Sequence, residues 1–246
     1  MIKGQLYLEW LKQREKVITS FVIIVLLGIG LSVISYVSQV SSVSDFVRNY
    51  IYFWLIVLPF LVVVPLFIML EKDLKDRHLW LYTKASLRQL LHVKVLFLVL
   101  VCTVFIVFLC MGGWICEFIV QNASLQSMLM PYVMLSIIAL FKVVVMQLLF
   151  LLIWSLSQAV TVYSQTLALF VIPVMYVISI IVYSNYYDLL QVGAIPLDIS
   201  GIIMQSNSLG LFSLQNLYAG EILSGVFIIA LGLLLSARLL KTKVGD

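Results

Sequence analysis

The sequence predicts an all-α protein, a polytopic membrane domain of six transmembrane helices with both termini in the cytoplasm. Three observations predict it: an apolar composition, six long apolar stretches, and an uneven distribution of Lys and Arg. Of the 246 residues, 63% are hydrophobic and 11% are charged, and the mean hydropathy is +1.16. An ordinary soluble domain has about 25% charged residues, so water alone is a poor solvent for this chain.

Six predominantly apolar stretches have the length of about 20 residues that a helix needs to cross the hydrocarbon core. They cover residues 17–38, 51–70, 95–119, 131–157, 166–186 and 220–240. These stretches take up most of the chain, so we expect a single membrane domain over residues 1–246. No cleavage-site pattern follows the first stretch, which is therefore expected to be retained as a helix.

The basic residues predict the orientation, because short cytoplasmic loops collect Lys and Arg. Thirteen of the 15 basic residues fall on one side: Lys3, Lys12, Arg14, Lys16, Lys72, Lys75, Arg77, Lys84, Arg88, Lys94, Arg238, Lys241 and Lys243. Arg48 falls in a loop on the outer side, and five acidic residues, Glu221 among them, also lie on that side. Lys142 falls within the fourth span. Both termini are therefore expected on the cytoplasmic side.

Residues 1–16, before the first span, have the pattern of an amphipathic helix. One side carries Gln5, Glu9, Lys12, Gln13 and Lys16, and the other carries Ile2, Leu6, Tyr7, Trp10 and Leu11. A helix with a Trp and flanking Lys is expected to lie in the cytoplasmic interface and to turn into the bilayer near Val17. The alternative is a frayed cytoplasmic tail.

Residues 71–94 form the only sizeable cytoplasmic loop in this prediction. Acidic residues precede basic ones at a spacing of four directly after the second span, which favours continuation of that helix beyond the bilayer. Ser86 and Gln89 have the spacing of a capping box, so a second helix is expected after an interruption near Thr83. The alternative is that the charges merely solvate a turn. On the outer face, the half-apolar segment 187–219 is expected to form short or re-entrant helices.

This arrangement resembles the membrane subunits of ABC-2-type ATP-binding-cassette transporters. The shared features are an interfacial N-terminal helix, six spans with both ends inside, an acidic start to the loop after span two, and an outer helical region between spans five and six. The closest local match is residues 79–94, LWLYTKASLRQLLHVK. It is similar to the family pattern of an apolar pair, a Thr, a small residue before an Arg, and a Lys that opens span three. Ala85 stands where the family often has Pro.

The resemblance implies that residues 76–88 hold a coupling helix, which inserts into a cleft of an ATPase subunit and transmits its closure to the spans. The residues assigned to ATPase coupling are Asp76, Arg77, Leu79, Trp80, Leu81, Tyr82, Thr83, Ser86 and Arg88. Anchoring at the membrane interface explains the Trp and Tyr equally well. The implied partners are separate ABC ATPase subunits that bind ATP and Mg, a second permease copy of the same or a sister chain, membrane lipid and an amphipathic substrate.

Lys142 lies about eleven residues into the fourth span, which places it near the middle of the bilayer. A charge at that depth costs at least about 2.5 kcal/mol on insertion scales, so it should face a partner or a wet cavity. One reading places Lys142 in the substrate pathway, where it would meet an anionic or amphipathic substrate. The other is a structural lysine that is bonded to carbonyls or reaches toward the interface.

The sequence gives no support for catalysis in this chain. No phosphate-binding loop pattern occurs, so ATP hydrolysis is expected in another polypeptide. The cysteines at 102, 110 and 116 and the histidines at 78 and 92 lack metal-ligand spacing, so no metal or cofactor is expected. The formal charge of +4 follows from the basic cytoplasmic loops and does not indicate nucleic acid.

The expected function is that of the transmembrane subunit of an ATP-binding-cassette exporter in a bacterial cytoplasmic membrane. The small size and very apolar spans look most like Gram-positive exporters of amphipathic peptides and bacteriocin-immunity permeases, which makes a peptide or an antimicrobial the expected substrate. One alternative is an ATPase-independent channel or secondary transporter that uses Lys142 in its pathway. Another is a membrane scaffold or a membrane-embedded enzyme with dispersed catalytic residues.

Overall fold

The computed structural model describes residues 2–37, 43–75, 87–121, 125–161, 194–195 and 217–244, together with residues 164, 166–167, 170–175, 177–178 and 181. The helices are α1 (Ile2–Val37), α2 (Val43–Leu61), α3 (Val63–Lys75), α4 (Leu87–Gln121), α5 (Leu125–Val160) and α6 (Ala219–Val244). Two short strands, β1 (Ala194–Ile195) and β2 (Leu217–Tyr218), pair antiparallel with Ala194 opposite Tyr218. The described part of the chain is otherwise helical, which confirms the all-α prediction.

Four described stretches are long and apolar enough to cross a membrane, by length and composition. They are Asn49–Lys72, Gln89–Ile115, Pro131–Val160 and Ala219–Ser236, and they coincide with the second, third, fourth and sixth predicted spans. The first predicted span lies in α1. The described residues of the fifth, between 166 and 181, are helical. Large apolar side chains such as Leu26, Val104 and Phe227 are more than half exposed, as expected of helices solvated by lipid.

The N-terminal helix differs from its prediction, because α1 continues through Val17 as one helix of 36 residues. The expected turn into the bilayer at that position is wrong. Between Gln5 and Leu27 the sequence holds neither Pro nor Gly, so nothing in the backbone favours an interruption there.

The hydroxyl of Tyr50 on α2 donates to the carbonyl of Ile24 at 2.5 Å and joins α1 to the next helix.

The second span is broken in the middle, between α2 and α3. Pro59 and Pro65 flank a turn at Val62, as expected because each proline removes one helical hydrogen bond. Two backbone bonds carry the chain across this turn, from the N–H of Val62 to the carbonyl of Leu58 at 3.0 Å and from the N–H of Leu66 to the carbonyl of Val62 at 3.3 Å.

Helix α5 lies at the centre of the described bundle and packs against α2, α3, α4 and α6. Its side chains Leu135, Ala139, Val143 and Leu151 are buried, and so is the large ring of Trp154. Burying a large apolar side chain contributes about 1.5–3 kcal/mol in water, but in lipid the gain comes from close packing. The described core is therefore organised around one helix.

Two glycines allow α6 to approach α5 and show that the helices run parallel. A Cβ on Gly225 would meet the ring of Phe141 and the side chain of Val145, and one on Gly232 would lie 2.9 Å from the carbonyl oxygen of Leu148. From Gly225 to Gly232 on α6, the contacted residues on α5 also advance, from Phe141 to Leu148. The end of α5 and the start of α6 therefore lie at opposite ends of the pair.

The segment 187–219 was expected to contain short or re-entrant helices. Its described residues form the β1–β2 pair and the first residue of α6, and the rest of this segment lies outside the described residues. Two strands of two residues each satisfy only a few backbone groups, so this ladder does little more than hold the chain beside the start of α6.

Candidate functional site

The predicted coupling segment is described only at its two ends. Residues 76–86, which include the assigned positions from Asp76 to Ser86, lie outside the described residues. Arg88 lies in the first turn of α4, and its side chain is not among those described. The structure therefore shows what the two ends of the loop contact, at Glu71 on α3 and at Lys94 on α4.

At the first end, Glu71 accepts two hydrogen bonds from α5. The indole Nε1 of Trp154 donates to its Oε1 at 3.0 Å, and the amide Nε2 of Gln158 donates to the same oxygen at 3.1 Å. Trp154 is fully buried and Gln158 is 7% exposed. Hydrogen bonds to a charged group contribute about 1.5–3 kcal/mol each, so this contact fixes the end of span two to the end of span four.

At the second end, Lys94 forms a buried ion pair with the N-terminal helix. Its Nζ donates to Oε1 of Glu9 at 3.0 Å, and the residues are 2% and 8% exposed. Lys12, one turn along α1, lies 3.9 Å from the same oxygen. The polar side of the predicted interfacial helix therefore faces the protein at Glu9, while Tyr7 and Trp10 on its other side are exposed.

No local pattern in the sequence predicts these pairings. Glu71 and Lys94 are predicted at the borders of the loop, Trp154 falls in the apolar fourth span 131–157, and Gln158 directly follows that span. The sequence does carry one indication of the pairing at Glu9. Gln5, Glu9 and Gln13 lie on one side of the helix, and a carboxylate that is buried on that side requires a cation or several donors.

Lys142 is half-buried on α5, next to Phe141, whose ring a Cβ on Gly225 of α6 would meet. Glu221 is predicted on the outer side, at the start of the sixth span 220–240. Helix α6 begins at Ala219 and places Glu221 in its first turn, 9% exposed. An acidic side chain is favourable there because it faces the positive end of the helix dipole. The close packing at Gly225 brings the two charged residues to one interface.

These residues give the described bundle two polar regions with different chemistry. Glu71 and Lys94 border the basic loop and bind side chains of α5 and α1, so they are suited to transmit force. Lys142 and Glu221 are opposite charges on two membrane helices, so they are suited to meet a charged group in the bilayer. Comparison with protein-family models, with curated proteins and with solved structures finds no match to this chain.

Proposed function

We propose that this chain is the transmembrane permease subunit of an ATP-binding-cassette exporter. It moves an amphipathic substrate, a peptide or an antimicrobial, out of a bacterial cell, and a separate ATPase subunit that binds ATP and Mg supplies the energy. The observation that carries the proposal is that both ends of the one sizeable basic loop are tied to the bundle by buried polar contacts, at Glu71 and at Lys94. A loop anchored in this way can pass a displacement on to the helices.

The packing of the helices supports a six-span topology with both termini in the cytoplasm. Because α5 and α6 run parallel, residues 161–218 must return the chain to the side on which α5 begins. One crossing by the fifth predicted span, 166–186, accomplishes this return. With that crossing, the basic residues of the N-terminus, the 71–94 loop and the C-terminus all lie on the cytoplasmic side.

In this proposal residues 76–88 bind the ATPase, and Lys142 lines the pathway of the substrate. Movement of the loop reaches α5 through Glu71, since Trp154 and Gln158 are hydrogen-bonded to its carboxylate. It reaches α1 through the ion pair of Lys94 with Glu9. A second permease copy completes the membrane part of the complex, as the resemblance to ABC-2 permeases implies.

Purification from the native membrane tests this assignment. The tagged chain is extracted in mild detergent, and the bound proteins are assayed for ATP hydrolysis and identified by their phosphate-binding motif. We expect an ATPase to co-purify, and we expect Leu81→Asp and Arg88→Gln to release it. Arg14→Gln, at an exposed position of α1, is the matched control and should retain the ATPase. Retention by all three variants would refute the assignment of the loop.

A second candidate is an ATPase-independent channel or secondary transporter, and the charges of Lys142 and Glu221 within two membrane helices favour it. Ionisable residues inside the membrane commonly mark ion or proton pathways. Liposomes that contain the purified chain alone distinguish the two functions. Substrate or proton flux in those liposomes, lost in Lys142→Ala, would support this candidate; flux that requires the ATPase and ATP supports the exporter.

A further inference from the structure

Helix α1 runs parallel to α4 and in step with it. Near the start of α1, Glu9 binds Lys94 of α4. Farther along, the ring of Phe21 contacts the rings of Phe105 and Phe108, with centroids 6.0 and 4.7 Å apart. The two contacts advance in the same direction along both helices, so the level of any residue of α1 can be read from its neighbour on α4.

Lys12 and Glu15 lie at a level where α4 is apolar. The offset of 85 residues that the ion pair defines places them beside residues 97–100, within the stretch Gln89–Ile115 that is long and apolar enough to cross a membrane. Residue 100 follows Lys94 by six positions, or about 9 Å along the helix. Both side chains are nevertheless exposed on the single chain. Ionisable groups at such a depth face protein or water rather than lipid.

The exposed side of α1 has the spacing of a coiled-coil seam. Its residues recur at alternating intervals of four and three, which corresponds to a period of 3.5 residues. This stripe faces away from Phe21 and Ile24, which pack against the core. The exposed residues of the stripe are Leu8, Lys12, Glu15, Thr19, Val22, Leu26, Ile29 and Val33.

We propose that this stripe of α1 pairs with the same stripe of a second copy of the chain, as a parallel two-helix coiled coil. This contact deepens the proposed function, and it rests on that function for the second permease copy that it locates. Both copies insert in the same orientation, so a two-fold axis along the membrane normal brings equal levels of the two α1 helices together. Lys12 of each copy then lies diagonally across from Glu15 of the other. Lys12 is available for this contact, because Glu9 lies 3.9 Å from it and already binds Lys94.

The presence of both signs of charge favours a second copy over a lipid headgroup. Lys12 and Glu15 complement each other across a two-fold axis, so a single sequence supplies both partners of two ion pairs. An anionic headgroup would be attracted by Lys12 but repelled by Glu15. Lipid can cover the apolar half of the stripe, from Val22 to Val33, equally well. The polar half therefore identifies the partner.

Disulfide cross-linking in native membranes locates the contact. Ile29→Cys places a thiol on the stripe, and Leu27→Cys places one off the stripe at a position that is also exposed, since the native side chains are 59% and 49% exposed. Both variants are made in a chain whose native cysteines are replaced by Ala. We expect oxidation to join two copies through position 29 and to leave the position 27 variant monomeric. Equal cross-linking at the two positions, or none at position 29, would overturn the proposal.

Charge variants in the Ile29→Cys chain test the ion pairs. Glu15→Lys makes both charges of the stripe positive, and Lys12→Glu makes both negative. Each variant expressed alone should therefore cross-link several-fold less than the parent chain. When the two variants are co-expressed with tags of different size, opposite charges face each other again. The mixed pair should then cross-link as well as the parent chain, which also shows that both variants fold.

A mixed pair that cross-links no better than either variant alone would refute the pairing, and so would undiminished cross-linking by Glu15→Lys alone. Both experiments use the permease without an ATPase. Failure of an ATPase to co-purify would refute the proposed function, whereas loss of cross-linking through α1 would refute this interface.

Discussion

Nζ of Lys94 lies 3.0 Å from Oε1 of Glu9 inside the protein, although 85 residues separate the two in the sequence. The pair joins the N-terminal turns of α1 to α4 at the end of the basic loop. Breaking a buried ion pair by removing one partner leaves the other charge uncompensated, which costs about 3–5 kcal/mol.

Lys94→Met and Glu9→Gln should therefore each lower the melting temperature clearly in detergent, because each leaves a buried group without its partner. The double variant Glu9→Leu with Lys94→Met should recover most of the loss, since it removes both charges. Lys16→Met, at an exposed position of α1, is the control and should melt with the unchanged protein. A double variant that is less stable than either single variant would contradict the pairing.

Glu71 should hold the end of α5 through Trp154 and Gln158. Trp154→Phe keeps the apolar ring but removes one hydrogen bond to a carboxylate, so we expect a loss of about 1.5–3 kcal/mol in the free energy of unfolding. In a Glu71→Gln background the same change should cost less, because the acceptor is no longer charged. Chemical unfolding of the unchanged protein, the two single variants and the double variant measures the coupling energy between Trp154 and Glu71. Equal losses in both backgrounds would show that the charge of Glu71 does not strengthen the bond.

Glycine at 232 should be necessary for the parallel packing of α5 and α6. A Cβ there would lie 2.9 Å from the carbonyl oxygen of Leu148, a backbone atom that cannot move alone. Gly232→Ala should therefore lower the melting temperature, with a loss of about 1–3 kcal/mol typical of overpacking. Gly30→Ala is the control, because nothing lies within 4 Å of its added Cβ. It should be neutral or slightly stabilising, since Ala favours the helix.

The effects of substituting Lys142 and Glu221 on stability should depend on each other. Lys142→Ala removes the cation from the interface of α5 and α6, where the carboxylate of Glu221 is 9% exposed. Stability should fall in this variant and return in part in Lys142→Leu with Glu221→Leu, because the double variant removes both charges. Substrate-stimulated ATP turnover by the complex should fall in both variants if Lys142 lines the pathway. Turnover equal to that of the unchanged complex in the double variant would assign the pair a structural role only.

The sequence predicts where the helices lie, but it does not predict which residues of different helices contact one another. Length and hydropathy locate the four spans predicted at 51–70, 95–119, 131–157 and 220–240, because the ability of a helix to cross the bilayer depends on its length and composition. The partner of Glu9 depends on how α1 packs against α4, which no local pattern encodes.

The prediction at Val17 was wrong for a different reason. An amphipathic pattern before a span describes which surface each side chain prefers, but not whether the backbone bends between the two segments. Without a Pro or Gly between Gln5 and Leu27, the helix continues. At Val62 the opposite holds, because Pro59 and Pro65 interrupt a span that is apolar throughout.

ATP-dependent uptake by inverted vesicles tests most directly whether this chain is the permease of an exporter. The vesicles contain the purified permease with its co-purified ATPase. A fluorescent amphipathic peptide is placed outside, and its entry is recorded before and after ATP is added. The exporter account predicts uptake that begins with ATP and is lost in the Arg88→Gln complex. Uptake that proceeds at the same rate without ATP, or no uptake by a complex that hydrolyses ATP, would contradict it.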